Sequence, residues 1–189
     1  MEKLLKLNTL KMEKLLKIPY AVINDWDQLQ QFLERRGNPR YELVGDVDLS
    51  YKKDIFDLGN LVRVDGDFIA YRSSIQSLGN LQYVSGALNL YKSSIQSLGS
   101  LEYVGGYLDL KSTLIESLGN LKFVGRYLDL NSTPIKSLGN LKYIGKYLDL
   151  LHTLIQSFGK LEYVGDKIYL SENHNIPQEE LNKFKHGIM

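Results

Sequence analysis

The sequence predicts a β-solenoid, a right-handed coil with one short parallel strand per turn and helical caps at both ends. Residues 58–177 form six blocks of twenty residues, beginning at Leu58, Leu78, Leu98, Leu118, Leu138 and Phe158. Apolar residues recur at positions 1, 4, 7, 11, 13 and 18 of the first five blocks. A single block cannot enclose these side chains, so the blocks must stack on one another.

The strand of each block is predicted from alternation with a period of two. In the fourth block, Leu128 and Leu130 face the core, whereas Tyr127, Asp129 and Asn131 face outward. Glycine, serine and threonine punctuate the rest of the block and leave too little sequence for a standard helix. Each turn is therefore expected to be one strand and a compact return path, with successive strands parallel.

The flanking segments predict caps, which a solenoid needs because its terminal core would otherwise face water. We expect residues 1–37 to form an N-terminal helical cap, residues 38–57 a degenerate first repeat, and residues 178–189 a C-terminal helical cap, all in one domain. Asn24 is the predicted N-cap of the first helix. The side chains expected to close the two ends of the core are Trp26, Leu29, Phe32, Leu33, Leu181 and Phe184.

The first residues contain a second, shorter repeat, because MEKLLK occurs at residues 1–6 and again at 12–17. An eleven-residue spacing is close to three helical turns, so leucines and lysines would lie on opposite faces of a helix over residues 1–17. Such a helix suits a membrane surface or a groove on a partner. An extension of the cap and a frayed tail are the alternatives.

The amino-acid composition limits the functions that this chain can have. The chain has 189 residues, 43% of them hydrophobic and 24% charged, a net charge of +1, and no cysteine. Disulfides and thiolate sites are therefore excluded, and no long-range field recruits nucleic acid or an anionic membrane. No apolar run is long enough to span a bilayer. We expect a cytoplasmic protein without a cofactor, and the oligomeric state stays open.

The strand and the residues that follow it carry a family resemblance. Residues 128–135, LDLNSTPI, resemble the core L-x-L-x-x-N-x-L of leucine-rich repeat proteins, in particular the short bacterial, viral and receptor-L-like variants. The resemblance implies a repeat scaffold. One departure is that serine or threonine replaces the family's asparagine until the last block, at Ser73, Ser93, Thr113, Thr133, Thr153 and then Asn173. Without convex-side helices, strong curvature is not expected.

The outward side of the predicted strands is the candidate site. It combines tyrosines, which give rigid contact area with a polar tip, with carboxylates stacked on adjacent strands, which repel by about 1 kcal/mol per pair in water. We call this surface the Tyr/Asp face. Its residues are Tyr71, Tyr91, Tyr107, Asp109, Tyr127, Asp129, Tyr147, Asp149 and Tyr169. The predicted function is a non-enzymatic scaffold that binds a protein partner through a basic patch.

Several alternatives to this function remain open. The aspartates could mimic nucleic-acid phosphates in an inhibitor of a nucleic-acid-handling enzyme, they could bridge calcium, or they could be a solvated ladder copied by duplication. A membrane-surface adaptor would rest on residues 1–17. Direct binding of nucleic acid is not expected. An enzyme is not expected either, because Asp149 and His152 have no nucleophile or pocket beside them. The aromatic column at Tyr83, Tyr103, Phe123, Tyr143 and Tyr163 is expected to be partly buried packing of the return path rather than a ligand platform.

Overall fold

The computed structural model describes residues 15–19, 25–184 and 187–189. It confirms the predicted solenoid, with parallel strands stacked over about six turns. The strands are β1 (Leu16–Pro19), β2 (Tyr41–Val44), β3 (Val47–Asp48), β4 (Leu61–Asp65), β5 (Phe68–Ile69), β6 (Tyr83–Val84), β7 (Leu88–Asn89), β8 (Tyr103–Val104), β9 (Leu108–Asp109), β10 (Phe123–Val124), β11 (Leu128–Asp129), β12 (Tyr143–Ile144), β13 (Leu148–Leu150), β14 (Tyr163–Val164) and β15 (Ile168–Leu170).

The strands form two parallel sheets, and each turn contributes one strand to each sheet. The predicted strands stack as the seven-stranded sheet, in the order β3, β5, β7, β9, β11, β13 and β15. The return path contains a second short strand that the sequence pattern did not indicate, and these strands form an eight-stranded sheet in the order β1, β2, β4, β6, β8, β10, β12 and β14. We number the twenty-residue blocks coil 1 (58–77) to coil 6 (158–177).

The core is one continuous apolar column between the two sheets. Leu128 and Leu130 are fully buried, and Leu128 lies in register with Leu108 and Leu148 of the neighbouring coils. Val47 and Leu49 extend the same column below coil 1. Because the buried apolar side chains of all coils belong to one cluster, the column supplies the burial that no single coil could.

A left-handed residue follows each of the first six strands of the seven-stranded sheet, from β3 to β13, and turns the chain away from the sheet. The six residues concerned are not glycines, and their φ angles lie between 52° and 61°: Tyr51, Arg72, Lys92, Ser112, Ser132 and His152. This conformation costs a residue with a Cβ about 1 kcal/mol. The stacked fold therefore stabilises a turn that the local sequence disfavours.

Helix α1 (Trp26–Glu34) closes the N-terminal end of the column. Asp25 is its N-cap rather than the predicted Asn24, because the Asp25 Oδ1 accepts hydrogen bonds from the N–H groups of Asp27 and Gln28 at 3.0 and 3.1 Å. Asn24 itself lies outside the described residues. The helix residues packed on the core are Trp26, Leu29, Phe32 and Leu33.

The prediction of an amphipathic helix over residues 1–17 is wrong for its C-terminal end. Leu16 and Lys17 belong to β1, which pairs with β2 and buries Ile18 against the core. The free edge of β2 offers backbone hydrogen bonds to an extended segment, and pairing satisfies them. Residues 1–14 lie outside the described residues. No described helix is long and apolar enough to cross a membrane.

The C-terminal end is closed by helix α2 (Gln178–Leu181) and a 3₁₀ turn at Asn182–Phe184. Leu181 is buried, and the Phe184 ring packs edge-on against Phe158 with centroids 5.3 Å apart. Residue Ile188 then forms a parallel bridge with Ile168 of β15. The end of the chain thus covers the last strand of the seven-stranded sheet.

Candidate functional site

The structure brings together six residues of the Tyr/Asp face, which we call the central cluster: Tyr107, Asp109, Tyr127, Asp129, Tyr147 and Asp149. The Tyr127 ring stacks on Tyr107 at 4.7 Å and on Tyr147 at 4.8 Å, with ring planes within 4° of parallel. Asp129 lies in register with Asp109 and Asp149 on the neighbouring strands. Coils 3, 4 and 5 thus present one row of tyrosines beside one row of carboxylates.

The carboxylates have a structural role that the sequence analysis did not foresee. One oxygen of each, the Oδ1 atom, accepts the N–H two residues later: Lys111 for Asp109 at 3.0 Å, Asn131 for Asp129 at 2.9 Å, and Leu151 for Asp149 at 2.9 Å. These Asx turns fix the chain as it leaves the strand.

The Asx turn requires an oxygen but not a charge. In coil 2 the side chain of Asn89 makes the same hydrogen bond to the Tyr91 N–H at 3.0 Å. A neutral amide therefore supports the turn as well as a carboxylate does. The negative charge of coils 3, 4 and 5 is a property that the turn leaves unexplained.

The environment of the central cluster disfavours the charged form of its carboxylates. Burial is the main cause that raises the pKa of Asp129 to about 6, and the charges of Asp109 and Asp149 raise it further. Burial likewise raises the pKa of Asp109. Burial and the neighbouring tyrosines and aspartates raise the pKa of Tyr127 to about 12, so its hydroxyl stays protonated at neutral pH. A nearby cation would relieve the crowded negative charge.

The remaining predicted residues lie around the central cluster rather than in its stack. Tyr169 meets the Tyr147 ring edge-on at 5.9 Å, so it extends the row. Tyr71 instead packs edge-on against Tyr51 at 4.8 Å, and Tyr91 has the Lys92 ammonium 5.1 Å from its ring centroid. Tyr71 and Tyr91 follow their strands, whereas the stacked tyrosines precede theirs, which explains the separation.

The aromatic column of the eight-stranded sheet is more regular than the expected partly buried packing. The rings of Tyr83, Tyr103, Phe123, Tyr143 and Tyr163 form a continuous five-ring stack, with centroid separations of 4.5 to 4.8 Å. Its surface is open toward one end, where Tyr143 is 36% and Tyr163 47% exposed. The twenty-residue spacing of these aromatics was the available signal.

Histidines and metal ligands give no second site in the described ranges. His152 occupies the left-handed turn, and its backbone N–H donates to the Ser171 Oγ at 2.8 Å. The His174 Nδ1 accepts the Ile176 N–H at 3.3 Å. Across residues 15–19, 25–184 and 187–189, no three histidine, aspartate or glutamate side chains are grouped so that they could hold a metal ion.

The geometry defines a class of protein, a short-repeat β-solenoid with two stacked aromatic rows. No protein-family model matches the chain, and no curated protein or solved structure matches it either.

Proposed function

We propose that this chain is a cytoplasmic, non-enzymatic scaffold that binds a protein partner through the Tyr/Asp face, with a basic patch of the partner on the aspartates. The observation that supports this proposal is the central cluster. Its three carboxylates stand in register, yet Asn89 shows that the same turn forms without a charge. A charge that the fold does not need, kept beside rigid aromatic surface, is typical of a recognition site.

Tyrosines and carboxylates would contribute differently to binding. The stacked rings of Tyr107, Tyr127 and Tyr147 are held by their neighbours, so little side-chain entropy is lost when a partner covers them. Lysine or arginine side chains of the partner would pair with the carboxylate oxygens that are not used in the Asx turns. Charge pairing of this kind mainly sets the association rate and the choice of partner.

The finer family assignment is part of the same proposal. Thr113 and Thr133 stand where leucine-rich repeats carry asparagine. Their Oγ1 atoms donate hydrogen bonds to the carbonyls of Leu110 and Leu130, both at 2.7 Å. The threonine hydroxyl gives the carbonyl at the end of the strand a hydrogen-bond donor, as the asparagine side chain of that family is expected to do. We therefore propose a short leucine-rich-repeat variant in which threonine takes the place of asparagine.

The decisive variant removes the charges and keeps the turns. Asp109→Asn, Asp129→Asn and Asp149→Asn are combined, because Asn89 already shows that asparagine makes the required hydrogen bond. Wild-type and variant protein are used for affinity capture from the source cell, and the captured partner is then titrated with each purified form. We expect the variant to bind about tenfold or more weakly, since each close charge pair contributes about 1.5 kcal/mol or more.

A matched control removes three exposed acids elsewhere, by Glu34→Gln, Glu116→Gln and Glu172→Gln combined. It changes the net charge equally and should bind as the wild type does. Binding by the folded triple asparagine variant at wild-type strength would refute the proposal. Wild-type affinity should also fall as the pH is lowered through about 6, because Asp129 is protonated there.

A further inference from the structure

The two sheets end differently at the C-terminal end of the solenoid. The seven-stranded sheet is covered there, because the Ile168 N–H donates to the Gly187 carbonyl at 2.7 Å and the Met189 N–H donates to the Ile168 carbonyl at 2.9 Å. The eight-stranded sheet ends at β14, and no described strand pairs with the outer side of β14. An uncovered edge is a template for another extended chain.

Backbone acceptors line this edge. Between inner coils, the Glu102 carbonyl accepts the Lys122 N–H and the Val104 carbonyl accepts the Gly125 N–H, both at 2.9 Å. The equivalent carbonyls of coil 6 belong to Glu162 and Val164, and neither accepts a hydrogen bond from a described residue. A further parallel strand would find the same two acceptors that every inner coil offers to its neighbour.

A cavity of about 450 Å³ lies beside the edge. Its apolar wall includes Tyr163, Val164, Ile168 and Phe184, and its charged groups are Glu162, Asp166 and Lys183. Tyr163 is the last ring of the five-ring stack. One ring face covers Tyr143 at 4.8 Å, while 47% of the residue is exposed at the end of the stack.

The opposite end of the five-ring stack shows what side chain suits such a ring. The Arg63 guanidinium lies 3.8 Å from the Tyr83 centroid. Its Nε donates to Glu42 at 3.1 Å, and its Nη2 lies 3.5 Å from Asp65. Arg63 reaches this position because it pairs with Tyr83 in register on the adjacent strand. Strand pairing, a stacked guanidinium and nearby carboxylates therefore occur together in this fold.

We propose that the outer edge of β14 binds an extended segment of a protein partner as a ninth strand, with an arginine of that segment on the open face of Tyr163. Glu162 and Asp166 supply carboxylates for the guanidinium. The positive charge of Lys183, which also lines the cavity, would repel a bound cation. Lys142 already forms an ion pair with Glu162 at 3.1 Å. The planar guanidinium can still stack on the ring as an ammonium ion cannot, so arginine is favoured over lysine.

A second copy of this chain fits the edge less well than an unrelated segment. The other end of the eight-stranded sheet is β1, which ends in Pro19. Proline has no N–H to donate, and it blocks further pairing of an edge strand. Head-to-tail addition of copies would place this proline against the acceptors of β14.

The probe is the acetylated and amidated peptide Asn-Leu-Val-Arg-Val-Asp, which copies residues 60–65. It is titrated into the ¹⁵N-labelled full-length protein, and amide shifts are followed by NMR, which detects weak binding. We expect shifts at residues 162–166. Replacing the peptide's arginine by citrulline, or Tyr163→Leu in the protein, should weaken binding about three- to thirtyfold. Tyr83→Leu, at the occupied end of the same stack, is the matched control and should bind the peptide normally.

Four results would overturn the proposal. The peptide could produce no shifts at residues 162–166, or the citrulline peptide could bind equally well, or the shifts could concentrate at Asp109, Asp129 and Asp149. The last result would support the Tyr/Asp face instead, so the two proposals fail separately. If sedimentation shows self-association that the peptide reverses, the edge binds a second copy, and the assignment to a partner protein is wrong.

Discussion

Coils 1 and 2 (58–97) and coils 3, 4 and 5 (98–157) share one core and differ in what they add to it. The inward positions are apolar and buried throughout. Coils 1 and 2 carry Asp67, Ala87, Ile69 and Asn89 where the later coils carry the tyrosines and aspartates of the central cluster. Since one backbone accepts both sets of residues, the central cluster is an addition to the fold rather than a requirement of it.

The two regions also differ at one position where successive coils meet closely. Position 8 is Asp65 and Ser85 in coils 1 and 2 but glycine in each later coil. A Cβ at Gly125 would overlap the carbonyl oxygen of Gly105. Backbone atoms cannot move aside as a side chain can, so the later coils depend on these glycines.

The largest expected effect is therefore that of Gly125→Ala. Overlap with the neighbouring backbone should lower the free energy of unfolding by about 3 kcal/mol or more, measured by urea denaturation. The matched change in coil 2, Ser85→Ala, should alter it by no more than about 0.5 kcal/mol. Equal effects of the two changes would show that position 8 is no more restrictive in the later coils, and would remove this difference between the regions.

The second effect concerns charge. The folded-state pKa of Asp129, about 6, lies above its ordinary value of 3.8, so its contribution to stability is present below pH 3.8 and is lost as the pH rises through 6. Asp129→Asn should stabilise the fold by about 1 to 3 kcal/mol above pH 6 and by little below pH 4, as denaturation at several pH values can measure.

Coil 2 supplies the reverse experiment. Asn89 lies in register with Asp109, so Asn89→Asp adds a fourth carboxylate to the row and keeps the oxygen that the turn needs. It should destabilise the protein at neutral pH and have less effect in acid. A pH-independent result for both variants would show that the carboxylates do not interact.

The third effect is smaller and concerns the hydroxyl at the end of each strand. The Thr113 Oγ1 donates to the Leu110 carbonyl at 2.7 Å, whereas the buried Ser93 Oγ has no hydrogen-bond partner among the described residues. Threonine has a stiffer χ1 rotamer than serine. Ser93→Thr should therefore raise the free energy of unfolding by about 1 kcal/mol, and Thr113→Ser should lower it by a similar amount. A loss of stability in Ser93→Thr would mean that coil 2 has no room for the methyl group.

The smallest effect should be the same in both regions. Arg72 in coil 1 and Ser112 in coil 3 adopt left-handed turns with φ of 53° and 57°. Glycine relieves this strain at some cost in chain entropy, so Arg72→Gly and Ser112→Gly should each stabilise the protein by about 0.5 kcal/mol. Thermal melts of the two variants test whether the turn is equally strained; opposite signs would contradict a shared backbone.

The sequence predicted the fold from its period, because stacking is the one way in which twenty-residue blocks can bury Leu128, Leu130 and their equivalents. It could not predict the strand at Phe123–Val124. Two residues are too few for an alternating pattern, and only pairing with neighbouring coils makes them a strand. The end of the chain at Ile188 was missed for the same reason, since its partner Ile168 lies twenty residues away.

The candidate site was predictable in its residues but not in its geometry. The alternating pattern predicted that Tyr127 and Asp129 face outward, and both side chains are partly exposed. Tyr71 and Tyr91 follow their strands whereas the stacked tyrosines precede theirs, so the sequence already separated the two groups, but it could not show that Tyr71 packs on Tyr51. The role of the Asp129 oxygen in the turn depends on backbone angles that composition does not specify.

The sequence by itself determined the repeat, the apolar column and the rows of side chains that repeat every twenty residues, because these follow from spacing alone. Only the tertiary structure decided which rows of side chains are in contact and which sheet edge is left without a described partner strand. Stacking brings residues twenty apart to within 5 Å, so ring contacts, raised carboxylate pKa values and the uncovered edge at β14 exist only once the coils are assembled.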